Sequence, residues 1–239
     1  MRCALCLEDS ELRRSHIIPE FLYESLYDDK HRLQVLSLLP DRGNWREQKG
    51  LREPLLCDRC EQQLSVAEGY ARKLLLGGAP VTYRSEGSVV FLSGLDYHQL
   101  RLFQLSVLWR AGVSTLPFFT DVQLGPHAEK LRRLVHAGDP GPSDRYCCVM
   151  FGLKYEKQAF AGVVMQPGRV RLHGQIAYRF VFGGFLWAFF ASGQGLPAAL
   201  LPCTLQPPGN AVFVVLDAMD MDNLASFSTE LVRIGRSPK

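Results

Sequence analysis

Four of the seven cysteines in this chain fall into two Cys-x-x-Cys pairs, Cys3/Cys6 and Cys57/Cys60. A tight turn within each pair sets two sulfurs at the bite of a tetrahedral ion, so together they supply the four thiolates of a structural Zn2+ site. The competing reading is redox or incidental pairs. The N-terminal MRCALCLEDSELRR has no apolar run of the kind a secretory signal needs. A cytoplasmic, reducing setting is therefore expected, where paired cysteines serve metals more often than disulfides. The second pair opens a helical pattern, and a helix N-terminus favours a thiolate. One knuckle followed by another at a helix start is the wiring of a treble-clef zinc module. Cys147, Cys148 and Cys203 stand in apolar surroundings and read as small buried hydrophobes.

Ser15-His16-Ile17-Ile18-Pro19 begins a few residues after Cys6. A histidine beside two isoleucines is, taken alone, more often structural than catalytic. In a treble clef, though, the segment between the knuckles returns over the helix that follows the second, and His16 would then lie beside the module without ligating its ion. Cys3-x-x-Cys6, the His-Ile-Ile-Pro of 16–19 and Leu56-Cys57-x-x-Cys60 before a helix together resemble the zinc-stabilised HNH (ββα-metal) endonucleases, over roughly the first third of the chain. The resemblance implies that His16 is the general base that deprotonates a water for attack on a DNA phosphate. It also implies that a catalytic Mg2+ or Mn2+ stabilises the leaving oxygen. Asn44 is then the candidate for the family's middle asparagine.

The sequence departs from that pattern at two metal-ligand positions. Ser15 stands where an Asp is usual, and Glu61 follows Cys60 where a His is usual; no His occurs between His31 and His98. Glu61 and Glu68, on one face of one helix, could supply carboxylates instead. Glu61 is equally explained as a first-turn acid complementing the helix dipole, and Glu68 as a surface residue. The alternative function, from another class, is a catalytically degenerate zinc module that binds nucleic acid or protein, with the rest of the chain carrying the partner surface. Bacterial defence against foreign DNA is the setting the nuclease resemblance implies.

Candidate phosphate-gripping residues are Arg13 and Arg14, just before the histidine, and Arg46 and Lys49 in the polar stretch PDRGNWREQKG. Trp45 in that stretch is a candidate for stacking on a base, or a lid over the module. Overall charge does not decide for DNA: the net is +3, and residues 1–79 carry 12 basic against 13 acidic side chains. No phosphate-binding glycine loop and no Gly-x-Ser-x-Gly elbow occurs.

These residues need elements to position them, and 239 residues at 47% hydrophobic content are enough for a sizeable core. The fold class expected is α+β: a small HNH-like treble-clef module over residues 1–79, then a larger mixed α+β domain with an antiparallel sheet over 80–239. In the module, helices are expected over Pro19–Asp29 and Glu61–Leu76, the second ended by Gly77-Gly78, with a loop or hairpin tip at 40–50. Beyond it, short strands are expected at Val81–Tyr83 and Val89–Leu92. A long, largely buried helix should follow over Asp96–Ser114, with Asp96 as N-cap, and another over Pro126–Ala137. On the first of these, Trp109 reads as core, and Arg110 should pair with a buried acid or a backbone carbonyl. Further strands are expected at Tyr146–Leu153, Phe160–Met165, Val170–Leu172, Ile176–Phe182 and Ala211–Leu216, and a closing helix at Asp222–Ile234. Phe180–Ala191, FVFGGFLWAFFA, is too short to span a bilayer and reads as a buried strand pair, so no membrane partner is expected.

Overall fold

In chain order the elements of the computed structural model, which describes residues 1–35, 45–191, 195–198 and 200–223, are twelve strands and three α-helices among those residues. The first part runs β1 (Leu12–His16), β2 (Arg32–Val35), β3 (Trp45–Gln48), β4 (Arg52–Cys57) and α1 (Asp58–Leu75). Next come β5 (Thr82–Glu86), β6 (Val89–Ser93), α2 (Tyr97–Val113) and α3 (His127–Ala137). The sheet region is completed by β7 (Cys148–Tyr155), β8 (Gln158–Ala159), β9 (Met165–Leu172), β10 (Gln175–Phe182), β11 (Phe185–Phe190) and β12 (Ala211–Asp217). The chain is thus mixed α+β.

β1 and β4 form a two-stranded antiparallel pair that leads directly into α1, and β2 and β3 form a hairpin inserted between them. The tip of that hairpin, with Asn44, lies outside the described residues, as do 224–234 of the expected closing helix. The large sheet has the order β5-β6-β12-β7-β11-β10-β9, with β8 paired to β7. It is mixed rather than purely antiparallel: β12 runs parallel to β7, because the chain crosses over from β11 before it inserts between β6 and β7.

FVFGGFLWAFFA becomes the β10–β11 hairpin, turned by Gly183 and Gly184 at φ 61° and 81°, the pair of positive angles a two-residue turn of this hand requires. Its unbroken hydrophobicity follows from burial on both faces. Phe180, Phe182, Trp187 and Phe189 face the helices, whereas Val181, Leu186, Ala188 and Phe190 face a second core closed by Leu196, Leu200 and Cys203. On the helix side the apolar cluster is continuous with Ile17, Ile18, Leu56 and Leu64 of the cysteine-bearing segment.

α2 lies buried along its length, touching α1 on one flank and α3 on the other. Asp96 caps it, accepting a hydrogen bond from the Gln99 backbone N–H at 3.0 Å. Phe103 meets Trp187 edge-on at 6.1 Å, and Trp187 stacks on Phe182 at 4.9 Å, so the helix is seated on the sheet by an aromatic cluster. None of the described helices is long and apolar enough to cross a membrane.

Two expected elements differ. Pro19–Asp29 forms two short 3-10 turns, Glu20–Leu22 and Glu24–Leu26, instead of an α-helix. Leu22 and the adjacent Tyr23 are both drawn into the core, and so short a segment has little intrinsic helicity to keep it α-helical. Strand structure is also absent from 160–164, where Ala161 lies 3.7 Å from the position a Cβ on Gly184 would take; β9 starts only at Met165.

Replacing Trp187 by Ala removes the centre of the α2–sheet contact and is expected to cost about 3–5 kcal/mol. Urea unfolding of the two proteins measures it; a loss below about 1 kcal/mol would mean that α2 does not depend on this cluster.

Candidate metal centre and the adjoining histidine

The β1–β4 register sets the geometry of the cysteines. Leu12 lies opposite Cys57 and His16 opposite Arg52, so the strand that follows the first knuckle ends alongside the strand that leads into the second. The first pair is closed by backbone bonds from Leu7 N–H to the Cys3 carbonyl (3.0 Å) and from Cys3 N–H to the Glu8 carbonyl (2.9 Å). The Ala4 N–H bonds the Leu55 carbonyl at 3.0 Å, and the Cys57 N–H donates to Cys3 Sγ at 3.3 Å, which draws the knuckles together. α1 begins at Asp58, three residues earlier than the apolar pattern indicates, so Cys57 is its N-cap residue and Cys60 lies in its first turn.

All four Sγ atoms of Cys3, Cys6, Cys57 and Cys60 lie within 4.8 Å of one another. Cys6 and Cys57 stand 3.8 Å apart, far beyond a disulfide bond, and all four cysteines are free thiols. Sulfurs about 2.3 Å from a tetrahedral Zn2+ are about 3.8 Å from each other, so the cluster fits a metal ion such as zinc. Among the described residues it is the one group of three or more ligating side chains close enough to hold an ion.

Thiol acidity is uneven in the metal-free centre. Burial works to raise Cys57, but the Cys60 backbone N–H and the neighbouring thiols of Cys60, Cys3 and Cys6 favour its thiolate more strongly and bring it down to about 7. Burial and the same neighbours push Cys60 well up. Elsewhere burial raises Cys147 and Cys203 to about 11 and Cys148 well above the usual thiol range, as expected of inert buried hydrophobes.

His16 ends β1 and is partly buried. Its Nε2 lies 2.6 Å from the Lys49 carbonyl oxygen. A carbonyl can only accept, so Nε2 carries the proton in the neutral ring and Nδ1 keeps its lone pair. Lys49 and Gly50, at φ 61° and 71°, make the turn that aims this carbonyl at the imidazole. A Cβ at Gly50 would come 2.8 Å from Tyr23 Cδ2 and 3.3 Å from His16 Cδ2, so glycine is required by both angle and space. The Ile17 N–H bonds the Leu51 carbonyl at 3.1 Å, and the buried Arg110 donates to the His16 carbonyl at 2.7 Å. The histidine is thereby held by its ring, its carbonyl and the next amide.

The other candidates are spread around this centre. Ser15 is buried and faces away from His16, accepting from the Leu56 N–H at 3.1 Å; it locks β1 to β4. Glu61 is partly buried, and its Oε1 has no hydrogen-bond partner among the described residues. Glu68 is not a free surface acid: it forms an ion pair with Arg110 at 2.7 Å. Arg13 pairs with Asp58 at 2.9 Å, both side chains exposed. Arg14, Arg46 and Lys49 are exposed, and Arg14 shares the His16 face of β1 by alternation. Of Trp45 only the strand backbone is described.

Sequence reasoning passed over Gly50 and Tyr23; the Lys-Gly dipeptide at the end of a polar stretch was the available signal for the first, and nothing marked the second. It also could not name the carbonyl that Arg110 would find. Compared with known proteins, the chain matches no family model, no curated protein and no solved structure.

Metal analysis of purified protein should return about one ion per chain. Cys60→Ser should lower that content severalfold and destabilise the N-terminal segment, since such sites are worth roughly 10–16 kcal/mol of binding energy. Full retention of metal by the variant would exclude this centre. Gly50→Ala, in a separate test, should lose about 1–3 kcal/mol of stability, seen as a lower melting temperature, through strain at a positive φ and the clash with Tyr23.

Proposed function

We propose that the N-terminal segment is a treble-clef zinc module of the HNH type that presents His16 as general base for hydrolysis of DNA phosphodiester bonds. The observation that carries this reading is the 2.6 Å bond between His16 Nε2 and the Lys49 carbonyl. It leaves the Nδ1 lone pair free, with no partner among the described residues, to take a proton from an attacking water. As the ring becomes imidazolium, the same carbonyl stabilises the developing charge. Arg14, on the same strand face, and the exposed Lys49 supply positive charge for a phosphate. Arg13 can join them at little cost, because an exposed pair such as Arg13–Asp58 is weakly held.

Cys3, Cys6, Cys57 and Cys60 would hold the zinc, which when bound supplies a cross-link between the knuckle and the start of α1. Four protein ligands close its coordination, so its role is structural. A catalytic Mg2+ or Mn2+ does not fit the residues present. The Ser15 hydroxyl is turned inward onto Leu56, and Glu68 is paired with Arg110, leaving only Glu61 of the expected carboxylates. No step is therefore assigned to such an ion.

That same observation favours the second reading, a zinc module that binds nucleic acid or protein without catalysis. Incubation of the protein with plasmid DNA, with and without Mg2+ or Mn2+, separates the two. Cleavage that falls about 100-fold or more in His16→Ala, at unchanged zinc content, is the expected result. Binding without cleavage by the natural chain would leave the second reading standing, and cleavage unaffected by His16→Ala would remove the histidine mechanism.

A further inference from the structure

Arg110 is the most buried charged group in contact with the histidine segment. It is 1% exposed, in the last turn of a helix that is otherwise almost wholly apolar there. Its Nη1 reaches 94 residues back along the chain to the His16 carbonyl at 2.7 Å, and its Nη2 pairs with Glu68 of α1, also at 2.7 Å. Longer contacts of 3.4 Å to the Ser106 carbonyl and hydroxyl brace the guanidinium against its own helix. A charge in this position is expensive unless every partner is present, and here one planar group bridges three elements: β1, α1 and α2. His16 stands opposite Arg52 at the end of the β1–β4 ladder, and the flanking Ile17 N–H to Leu51 carbonyl bond makes this a non-hydrogen-bonded pair, with the His16 carbonyl pointing away from β4. Without Arg110 that part-buried acceptor would lose its partner, and His16 would be held only by its ring and the next amide.

We propose that Arg110 is the positioning residue of the histidine site: anchored by Glu68, it fixes the His16 backbone so that the imidazole meets the Lys49 carbonyl and holds the Nε2–H tautomer. The inference rests on the reading of His16 as a base for its consequence in catalysis, but not for its geometry. The site is then set by α2, an element well outside the cysteine-bearing segment. Lys at 110 keeps the charge yet cannot fork to two acceptors on opposite sides, whereas Met keeps the bulk and loses both contacts.

The test uses the full-length, zinc-loaded chain with Arg110→Lys, Arg110→Met and, as a control, Arg101→Met. Arg101 is a second buried arginine of α2 that bonds the Tyr146 carbonyl at 2.7 Å and does not touch His16. Long-range 1H–15N spectra of labelled histidine report the His16 tautomer. The natural chain and Arg101→Met should show the Nε2–H form. Arg110→Met should show mixed tautomers at unchanged zinc content, with Arg110→Lys intermediate. If the methionine variant does not fold, the lysine variant decides. In cleavage assays kcat should fall about 10–100-fold with KM changed less than about twofold. Superimposable His16 spectra in the natural and Arg110 variants would overturn the proposal even if DNA is cleaved. Absence of cleavage by the natural chain would overturn the nuclease reading while the spectra still judge Arg110.

Discussion

Two cysteine pairs lying 51 positions apart must meet within the length of one sulfur tetrahedron, and most of the N-terminal architecture follows from that requirement. The β1–β4 pairing is the device that brings them together, since its register sets Leu12 opposite Cys57. Everything between the strands is then free to be inserted as turns and a hairpin. α1 must begin where β4 ends, because Cys57 and Cys60 need the turn geometry of a helix start. The histidine is carried to the far end of the same strand pair as a consequence.

The surroundings hold this centre from outside. Arg132 of α3 donates to the Leu5 carbonyl within the first knuckle, and Gln63 of α1 donates to the His136 carbonyl at the end of α3 (2.9 Å). Glu53 of β4 is buried and accepts from the Thr115 N–H at 3.1 Å and from the Ser114 and Thr115 hydroxyls just beyond α2. These bonds satisfy polar groups that would otherwise be stranded where the cysteine-bearing segment meets α2 and α3. A helix as buried as α2 carries Arg101 and Arg110 in the same way: each guanidinium donates to a backbone carbonyl outside its own helix, of Tyr146 and of His16.

The histidine and the carboxylates around it point to different chemistries. The imidazole has one nitrogen tied to a carbonyl and the other without a partner among the described residues, and the buried Tyr23, its phenol held well above the usual tyrosine range by burial, lies against the same Gly50 turn. The oxygen ligands that a divalent cation would want are engaged in holding the fold: Ser15 on Leu56, Glu53 on Ser114 and Thr115, Glu68 on Arg110. Among the described residues Glu61 keeps an oxygen with neither a hydrogen bond nor an ion pair, whereas Glu68 is held by Arg110. The polar atoms around His16 thus serve cohesion more than coordination.

Local pattern alone determined a good deal here. The four sulfurs could be grouped because Cys-x-x-Cys spacing is a short-range geometric statement, and α1, α2, α3 and the β10–β11 hairpin were readable from apolar periodicity, Asp96, Gly77, Gly138 and Gly183-Gly184. Even the pairing of Arg110 with an acid or a carbonyl was legible, because a guanidinium on an apolar helix has few other options. Tertiary structure decided what no local pattern encodes. It set the Pro19–Asp29 segment in 3-10 turns with Leu22 and Tyr23 in the core, and it ran β12 parallel to β7 through a long crossover. It chose which carbonyl Arg110 meets and turned the Lys49 carbonyl onto His16. These contacts join residues 33 and 94 positions apart, and at such separations a residue's partner is set by how whole elements pack, which composition and spacing do not specify.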